Sequence, residues 1–289
     1  MPVLSAFVLA ASCGRESTDV RPYREDSRRE IRFAAGTVTK AFTSTTVDDL
    51  KPVGFNALCV VSNGVRMFDE MIIWDSVKEV FIPSTQKYYY PDAGTLSFYA
   101  SYPPDYKALR SGGTVTLSYV HDASTDLLAA RTEGVSAQDN PIALEMSHIL
   151  SLLHFKATGR DIGVTYRVTR LAVTVPSKGA YDYATGSWSV EGTEESLCFS
   201  GSVTLEGTAA IGIPLSVLPC KAAIRVDWET WQEDVKTAEY SRAVTMDESL
   251  APGEECTVTL KLGNDESQPM EFTLCITPWT GTDNEIDIR

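Results

Sequence analysis

Residues 222–231 read AAIRVDWETW, and their alternation decides the fold. Ile224, Val226 and Trp228 fall on one side of an extended chain, and Arg225, Asp227 and Glu229 on the other. Successive side chains of a strand point to opposite faces, so this period of two predicts a strand with one buried and one solvated face. Further along, CTVTLKLG (256–263) repeats the pattern, with Val258, Leu260 and Leu262 set against Thr257, Thr259 and Lys261. Working outward, the chain from residue 30 onward is a series of such short runs, among them FNALCVVSNGVRMF (55–68) and TVTLSYVHD (114–122). They are separated by Gly, Pro, Asn and Asp, and amphipathic helices are scarce. Asn63-Gly64 between two apolar runs predicts a hairpin with a type I′ turn. SKGAYDYATGSWSVEG (177–192) predicts another hairpin. Many short strands with regular turns give an all-β fold of sandwich architecture. At 289 residues the chain exceeds one sandwich of ~100 residues, so two are expected, with the break at ATGRDIG (157–163).

Composition narrows the function classes. With 43% hydrophobic residues the chain can bury a large core. A net charge of −14 and a pI near 4.7 provide no basic field, which disfavours nucleic acid as a partner. At the start, VLSAFVLAA (3–11) is too short to cross a membrane as a helix and leads into LAASCG (9–14). An apolar run ending in small residues has the shape of a signal peptide, and the following cysteine resembles a bacterial lipobox with Cys13 as the acylated residue. No Lys or Arg precedes the run, unlike an ordinary signal; a start codon assigned too late, or an ordinary buried or disordered N-terminal segment, is the alternative. GRESTDVRPYREDSRRE (14–30) then resembles a solvated tether. Cys59, Cys198, Cys220, Cys256 and Cys275 show no CxxC or zinc spacing, and five thiols leave at least one free. Cys256 sits in the apolar register of its strand and is expected to be a buried small hydrophobe.

Catalytic candidates are few. No phosphate loop, HExxH or GxSxG occurs. Asp227 and Glu229 form a carboxylate pair of the kind glycosidases use, but on a strand both fall on the solvated face. Trp74, Trp188, Trp231, Trp279 and KYYYPD (87–92) could stack on sugars, against the commoner role of core or rim packing. His148 and His154 lie in IALEMSHILSLLHF (142–155), sharing a strand parity with Ile142, Leu144, Met146, Leu150 and Leu152. Six residues of strand would hold them roughly 20 Å apart, so they cannot share one metal. The expectation is therefore no catalytic set, no metal and no cofactor, with His148 a structural histidine that needs a hydrogen-bond partner.

Several motifs in order carry a resemblance. TLSFYASYPPD (95–105), DLLAARTEG (126–134) followed by IALEMSHILSLLHF (142–155), VTYRVTRLAVTVPSKGAYDYATGSW (164–188), IPLSVLPCKAAIRVDWETW (213–231) and LAPGEECTVTLKLG (250–263) together resemble the fimbrillin family, the type V pilin-like lipoproteins of Bacteroidales, and its fimbrillin-like relatives. The resemblance implies two tandem transthyretin-like β-sandwich domains. Their bounds would be 30–160 and 161–289, after a signal peptide (1–12) and a tether (13–29). It also implies export through the periplasm to the outer membrane on a lipid at Cys13, and a structural or adhesive role in fimbriae. In such pilins a protease removes the first strand after a basic residue, and a strand from another subunit refills the groove. EIRFAAGTVTKAFTSTT (30–46) resembles that strand and its processing loop, which places the junction at Lys40-Ala41. The polymerising pilins carry Arg where this chain has Lys40, so use of Arg32, another protease or a retained strand are alternatives. Ile286 and Ile288 alternate with polar residues as a donor strand would, and a strand of the chain's own domain is the equal alternative. The implied partners are other pilin subunits, the outer membrane, and a host or glycan ligand; the alternative is a non-polymerising surface lipoprotein that binds glycans or host molecules.

Overall fold

The computed structural model describes residues 29–34, 47–265, 267 and 270–279. Nearly all of their regular secondary structure is strand. Among the described residues the helices are α1 (Val47–Val53) and one 3₁₀ turn at Ala137–Asp139.

The first body is an eight-stranded sheet. Its order runs β10 (Ser147–His148), β8 (Leu128–Val135), β5 (Leu96–Tyr102), β2 (Phe55–Val61), β3 (Arg66–Asp75), β4 (Val80–Pro83), β1 (Phe33–Ala34), β9 (Ile142–Ala143). A flat sheet of eight strands would hold its outermost strands about 34 Å apart. Here the outermost strands are β10 and β9, joined by only Leu144, Glu145 and Met146, a span of at most ~14 Å. The sheet must therefore curl until its ends almost meet. Its interior is packed with Phe33, Phe55, Phe68, Phe81 and Phe98, closed at the seam by Leu144 and Met146. The predicted β2–β3 hairpin forms, but its turn is not type I′. Gly64 alone has positive φ (84°). Asn63 instead accepts from the Val65 N–H through its side chain, at 3.0 Å. Gly64 N donates to Val61 O at 2.7 Å and Val61 N to Val65 O at 2.8 Å, a three-residue loop that ends on a left-handed glycine.

A second body pairs two sheets face to face. One has the order β15 (Glu194–Thr204), β12 (Thr165–Val175), β18 (Ala223–Gln232), β19 (Val235–Thr245). The other runs β16 (Ala209–Ala210), β11 (Ser151–Gly159), β20 (Glu254–Leu262), β21 (Glu271–Pro278), with β17 (Leu215–Val217) also on β11. Ile224, Val226 and Trp228 meet Val258, Leu260 and Leu262 in one core, as their alternation requires. Cys256 lies in the same core, fully buried.

Sheet pairing does not divide at residue 160. β11 runs parallel to β20 from Leu152↔Glu255 to Gly159↔Leu262, so the chain passes to the second body at about Leu150. A fourth sheet, β14 (Ser187–Glu191), β13 (Lys178–Asp182), β7 (Thr114–Val120), β6 (Ala108–Ser111), mixes early and late segments of the chain. The 178–191 hairpin forms as its sequence predicts, and it docks on β7, with Ala180 opposite Ser118. This sheet covers the outer face of the curled sheet. Leu58 and Val60 of β2 are buried there against Leu117, Tyr119 and Leu218 in a third core.

The 142–155 run is not one strand. It breaks into β9, β10 and the start of β11, and both Ile149 and Leu150 are buried. Within β11, Leu152 joins the third core while Leu153 and Phe155 join that of the second body. The shared parity of His148 and His154 is therefore lost.

Candidate functional site

The most distinctive local arrangement is the seat of residues 29–34 in the wall of the curled sheet. Phe33 stands opposite Phe81 of β4 on one side and Ile142 of β9 on the other, the latter in parallel register. Ile31 and Phe33 are both 0% exposed, whereas Arg29 is exposed and Glu30 and Arg32 are partly so. The Phe33 ring meets Phe98 at 5.3 Å and Phe55 at 6.0 Å, both nearly perpendicular, the favoured edge-to-face geometry.

The main chain of this segment is engaged on both sides. Ile31 N donates to Tyr88 O at 2.8 Å, and Tyr90 N donates to Arg29 O at 3.1 Å. On the opposite side Ile142 N donates to Arg32 O at 2.8 Å. Asn140 completes that side through its side chain: Nδ2 donates to Glu30 O at 2.9 Å, and Oδ1 accepts from Arg32 N at 3.1 Å. The charged side chains satisfy one another above the wall. Arg32 pairs with Glu30 at 2.7 Å, and Arg29 donates to the Ala137 carbonyl at 2.9 Å. Beneath Asn140, Asp139 caps its own turn; hydrogen bonds from the Ser136 N–H and hydroxyl hold its carboxyl below the usual range. Cleavage after Arg32 in the seated chain would require breaking contacts on both its N–H and its C=O.

Of the residues singled out in the sequence, Cys13, Lys40, Ala41, Ile286 and Ile288 lie outside the described residues. His148 has its partner: Nδ1 is 2.7 Å from Asp126 Oδ1, and the ring stacks on Trp279 at 4.0 Å. His154, half-buried on β11, is held below the ordinary imidazole value, chiefly by burial. Asp227 and Glu229 share the solvated face of β18, as their alternation predicts. Glu229 accepts from Lys236 Nζ at 2.6 Å and from the Trp231 indole N–H at 3.0 Å, and the lysine contact is the main reason its carboxyl sits below the usual range. A general acid needs the opposite shift. Asp227 is taken up by Arg225 at 3.3 Å and by the Ser241 hydroxyl at 2.5 Å.

The aromatic residues are engaged in packing. Arg167 lies over one face of Trp231, 4.0 Å from the ring centre. The Trp188 indole donates to the Ile149 carbonyl at 2.5 Å, and Trp74 packs on Phe81 at 5.0 Å. From KYYYPD, Tyr88 and Tyr90 supply the backbone edge beside Ile31. The sequence marks KYYYPD for its rings rather than for this backbone edge, and it does not mark Asn140; an Asn before a Pro in a loop carries no periodic signal. Among the described residues no cluster of His, Cys, Asp and Glu could hold a metal ion, and no helix is long and apolar enough to cross a membrane.

With this geometry in view, the likenesses to known proteins take on meaning. The fimbrillin-like family profile matches residues 39–279. No curated protein matches. Among solved structures, a candidate cell adhesion protein from Bacteroides uniformis is similar over 89% of this chain and 99% of its own, at 18% identity and a TM-score of 0.55. A second candidate cell adhesion protein, from Bacteroides ovatus, is similar over 88% of this chain and 98% of its own, at 15% identity and a TM-score of 0.51. At these identities the structural likeness concerns the fold, while the sequence profile spans most of the chain: the protein belongs to the fimbrillin-like family.

Proposed function

We propose that this protein is a structural and adhesive component of type V-like fimbriae, a pilus subunit, anchor or tip, assembled by β-strand donation between subunits. The observation that carries the proposal is the seat of residues 29–34. Two side chains are fully buried in a wall whose flanking strands would both become open edges if the segment left. An open edge presents unpaired N–H and C=O groups that an incoming strand satisfies, while its alternate side chains fill the pockets.

In this reading the chain travels as a lipoprotein acylated at Cys13 and sits at the outer surface of the cell. Processing at Lys40-Ala41 frees the first strand, and the segment with Ile286 and Ile288 is the donor. The two bodies are read as tandem transthyretin-like domains, and the pairing of β11 with β20 supports a crossing near Leu150.

The test uses the full chain with a unique protease site introduced ahead of Ala41. After cutting, a synthetic peptide of residues 280–289 should displace the N-terminal fragment and remain bound through gel filtration. A fragment that stays seated while no peptide enters, even after mild denaturant has released and removed the fragment, would refute strand exchange. Mass spectrometry of native membranes separates the alternatives: a mature N-terminus at Ala41 marks assembled pilin, and an intact acylated Cys13 marks an anchored, unprocessed protein.

A further inference from the structure

We infer that Asn140 is a main-chain clamp that sets the register of whichever strand fills the wall slot, leaving the slot to select its occupant at two apolar positions only; this rests on the strand-exchange reading above. In a parallel ladder, the residue opposite position 31 would donate its peptide N–H to the carbonyl of residue 30 and accept the N–H of residue 32. The ladder of β9 with β1 stops at Phe33↔Ile142, and by the same register the residue opposite position 31 is Asn140 itself, which answers these two groups through its side chain rather than its main chain. The Asn140 side-chain amide takes over: Nδ2 donates to Glu30 O at 2.9 Å and Oδ1 accepts Arg32 N at 3.1 Å. Only one orientation of the amide matches donor to acceptor at both ends, so the oxygen and nitrogen positions are fixed by their partners.

Because the clamp touches only backbone groups, it is indifferent to the side chains of its occupant. Discrimination falls to the positions between and beyond the clamped groups, where Ile31 and Phe33 are fully buried. A slip of one residue would push the side chains of Glu30 and Arg32 into the pockets. The two devices act together: the amide counts residues along the strand, and the pockets require apolar side chains at the counted positions. The pockets differ. The second is built around an aromatic ring by Phe55 and Phe98. The Ile286-x-Ile288 pattern therefore satisfies the spacing and underfills the second pocket.

The first arm of the test needs no strand exchange. Amide hydrogen exchange is followed in the intact chain for Arg32, whose N–H binds Asn140, and for Ile31, whose N–H binds Tyr88 O. Asn140→Ala should speed Arg32 exchange about five- to tenfold relative to Ile31, the loss of one hydrogen bond. Asn140→Asp keeps the acceptor and should retain most of the Arg32 protection. Equal Arg32 and Ile31 exchange in wild type and Asn140→Ala overturns the clamp. The second arm uses chain cut ahead of Ala41 and freed of its fragment. Peptide 280–289 should bind in one register, Ile288→Phe peptide several-fold more tightly, and Asn140→Ala should weaken both about tenfold and mix their registers. Peptide binding unaffected by Asn140→Ala overturns the clamp for a foreign strand. No binding to wild type, with the Arg32 effect intact, overturns strand exchange and not the clamp on the chain's own strand.

Discussion

Phe33→Ala tests the seat of the first strand most directly. The ring is 0% exposed and in edge-to-face contact with Phe98 and Phe55. Truncating a buried Phe to Ala costs about 3–5 kcal/mol, of which each aromatic pair supplies about 0.5–1.5. That is a large share of the 5–15 kcal/mol typical of a folded protein. The segment is short, however, and it has an alternative to strain, which is to leave the wall. Once it leaves, Ile31 no longer contributes, so losses at the two sites cannot simply add. Ile31→Ala alone should cost about 2–4 kcal/mol, and the double variant less than the sum of the singles. Urea unfolding followed by tryptophan fluorescence measures all three, and hydrogen exchange at Arg32 reports whether the segment has detached. The reasoning fails if Phe33→Ala costs under about 1 kcal/mol, because the pocket would then not hold the strand. Full additivity with Ile31→Ala would also refute it, since the segment would then remain seated and could not behave as a removable unit.

Other consequences follow from the same geometry. Trp279 is 2% exposed and stacked on His148, so Trp279→Ala should cost about 3–5 kcal/mol in urea unfolding; a loss below 1 kcal/mol would show the stack to be superficial. Burial lowers the His154 pKa from 6.5, so below that pH the unfolded chain binds a proton that the folded chain refuses. The stability due to this group is complete above about 6.5 and is lost as pH falls toward the folded value. The slope is at most about 1.4 kcal/mol per pH unit, and His154→Phe should flatten it in denaturation curves taken between neutral and mildly acidic pH. Burial pushes the Cys198 thiol up to about 12 and those of Cys220 and Cys256 to about 11, while Cys275 is exposed. Within residues 47–279 a thiol reagent at neutral pH should therefore modify Cys275 first, with Cys198 and Cys256 following only on unfolding; early labelling of Cys256 would refute the packing of the second body.

The sequence was most informative where one strand has one wet and one dry face. Ile224, Val226 and Trp228, and Val258, Leu260 and Leu262, are buried as their alternation requires. Alternation says which face is dry; it does not say which strand lies alongside. The pairing of β7 with β13, or of β11 with β20, joins segments far apart in the chain and leaves no local trace. Residues 142–155 misled for a related reason. Leu152 and Leu153 both find apolar surroundings, because β11 separates two cores, and a strand buried on both faces loses its period. At the slot, Ile31-x-Phe33 is legible as a strand fragment. That it is a stave between β4 and β9, and that an asparagine side chain finishes its ladder, depends on a wall assembled from distant parts.

A wall that released a stave, as the strand-exchange proposal requires, would have to keep its shape without it, and the bracing is distributed in keeping with that. β1 sits between β4 and β9, at one end of the strand order, while the cover sheet grips the other end. Tyr183, just past β13, donates its hydroxyl to Ala100 O on β5 at 2.9 Å. Arg131 on β8 donates back to the carbonyls of Tyr183 and Ala184, at 3.2 and 3.1 Å. Leu117 and Tyr119 press on the outer face over Leu58 and Val60 of β2. None of these contacts involves β1, β4 or β9. Removing residues 29–34 therefore unseats two buried side chains and opens two edges while leaving the brace intact. The exposed edges and the vacated Phe33 pocket then favour refilling by any strand of the right spacing. Segments as short as β1 are weak on their own, and in the strand-exchange proposal that weakness is functional: two pockets, the backbone bonds to its neighbours and one asparagine hold the strand firmly enough to close the wall, and by little enough that its loss would leave the rest of the wall standing.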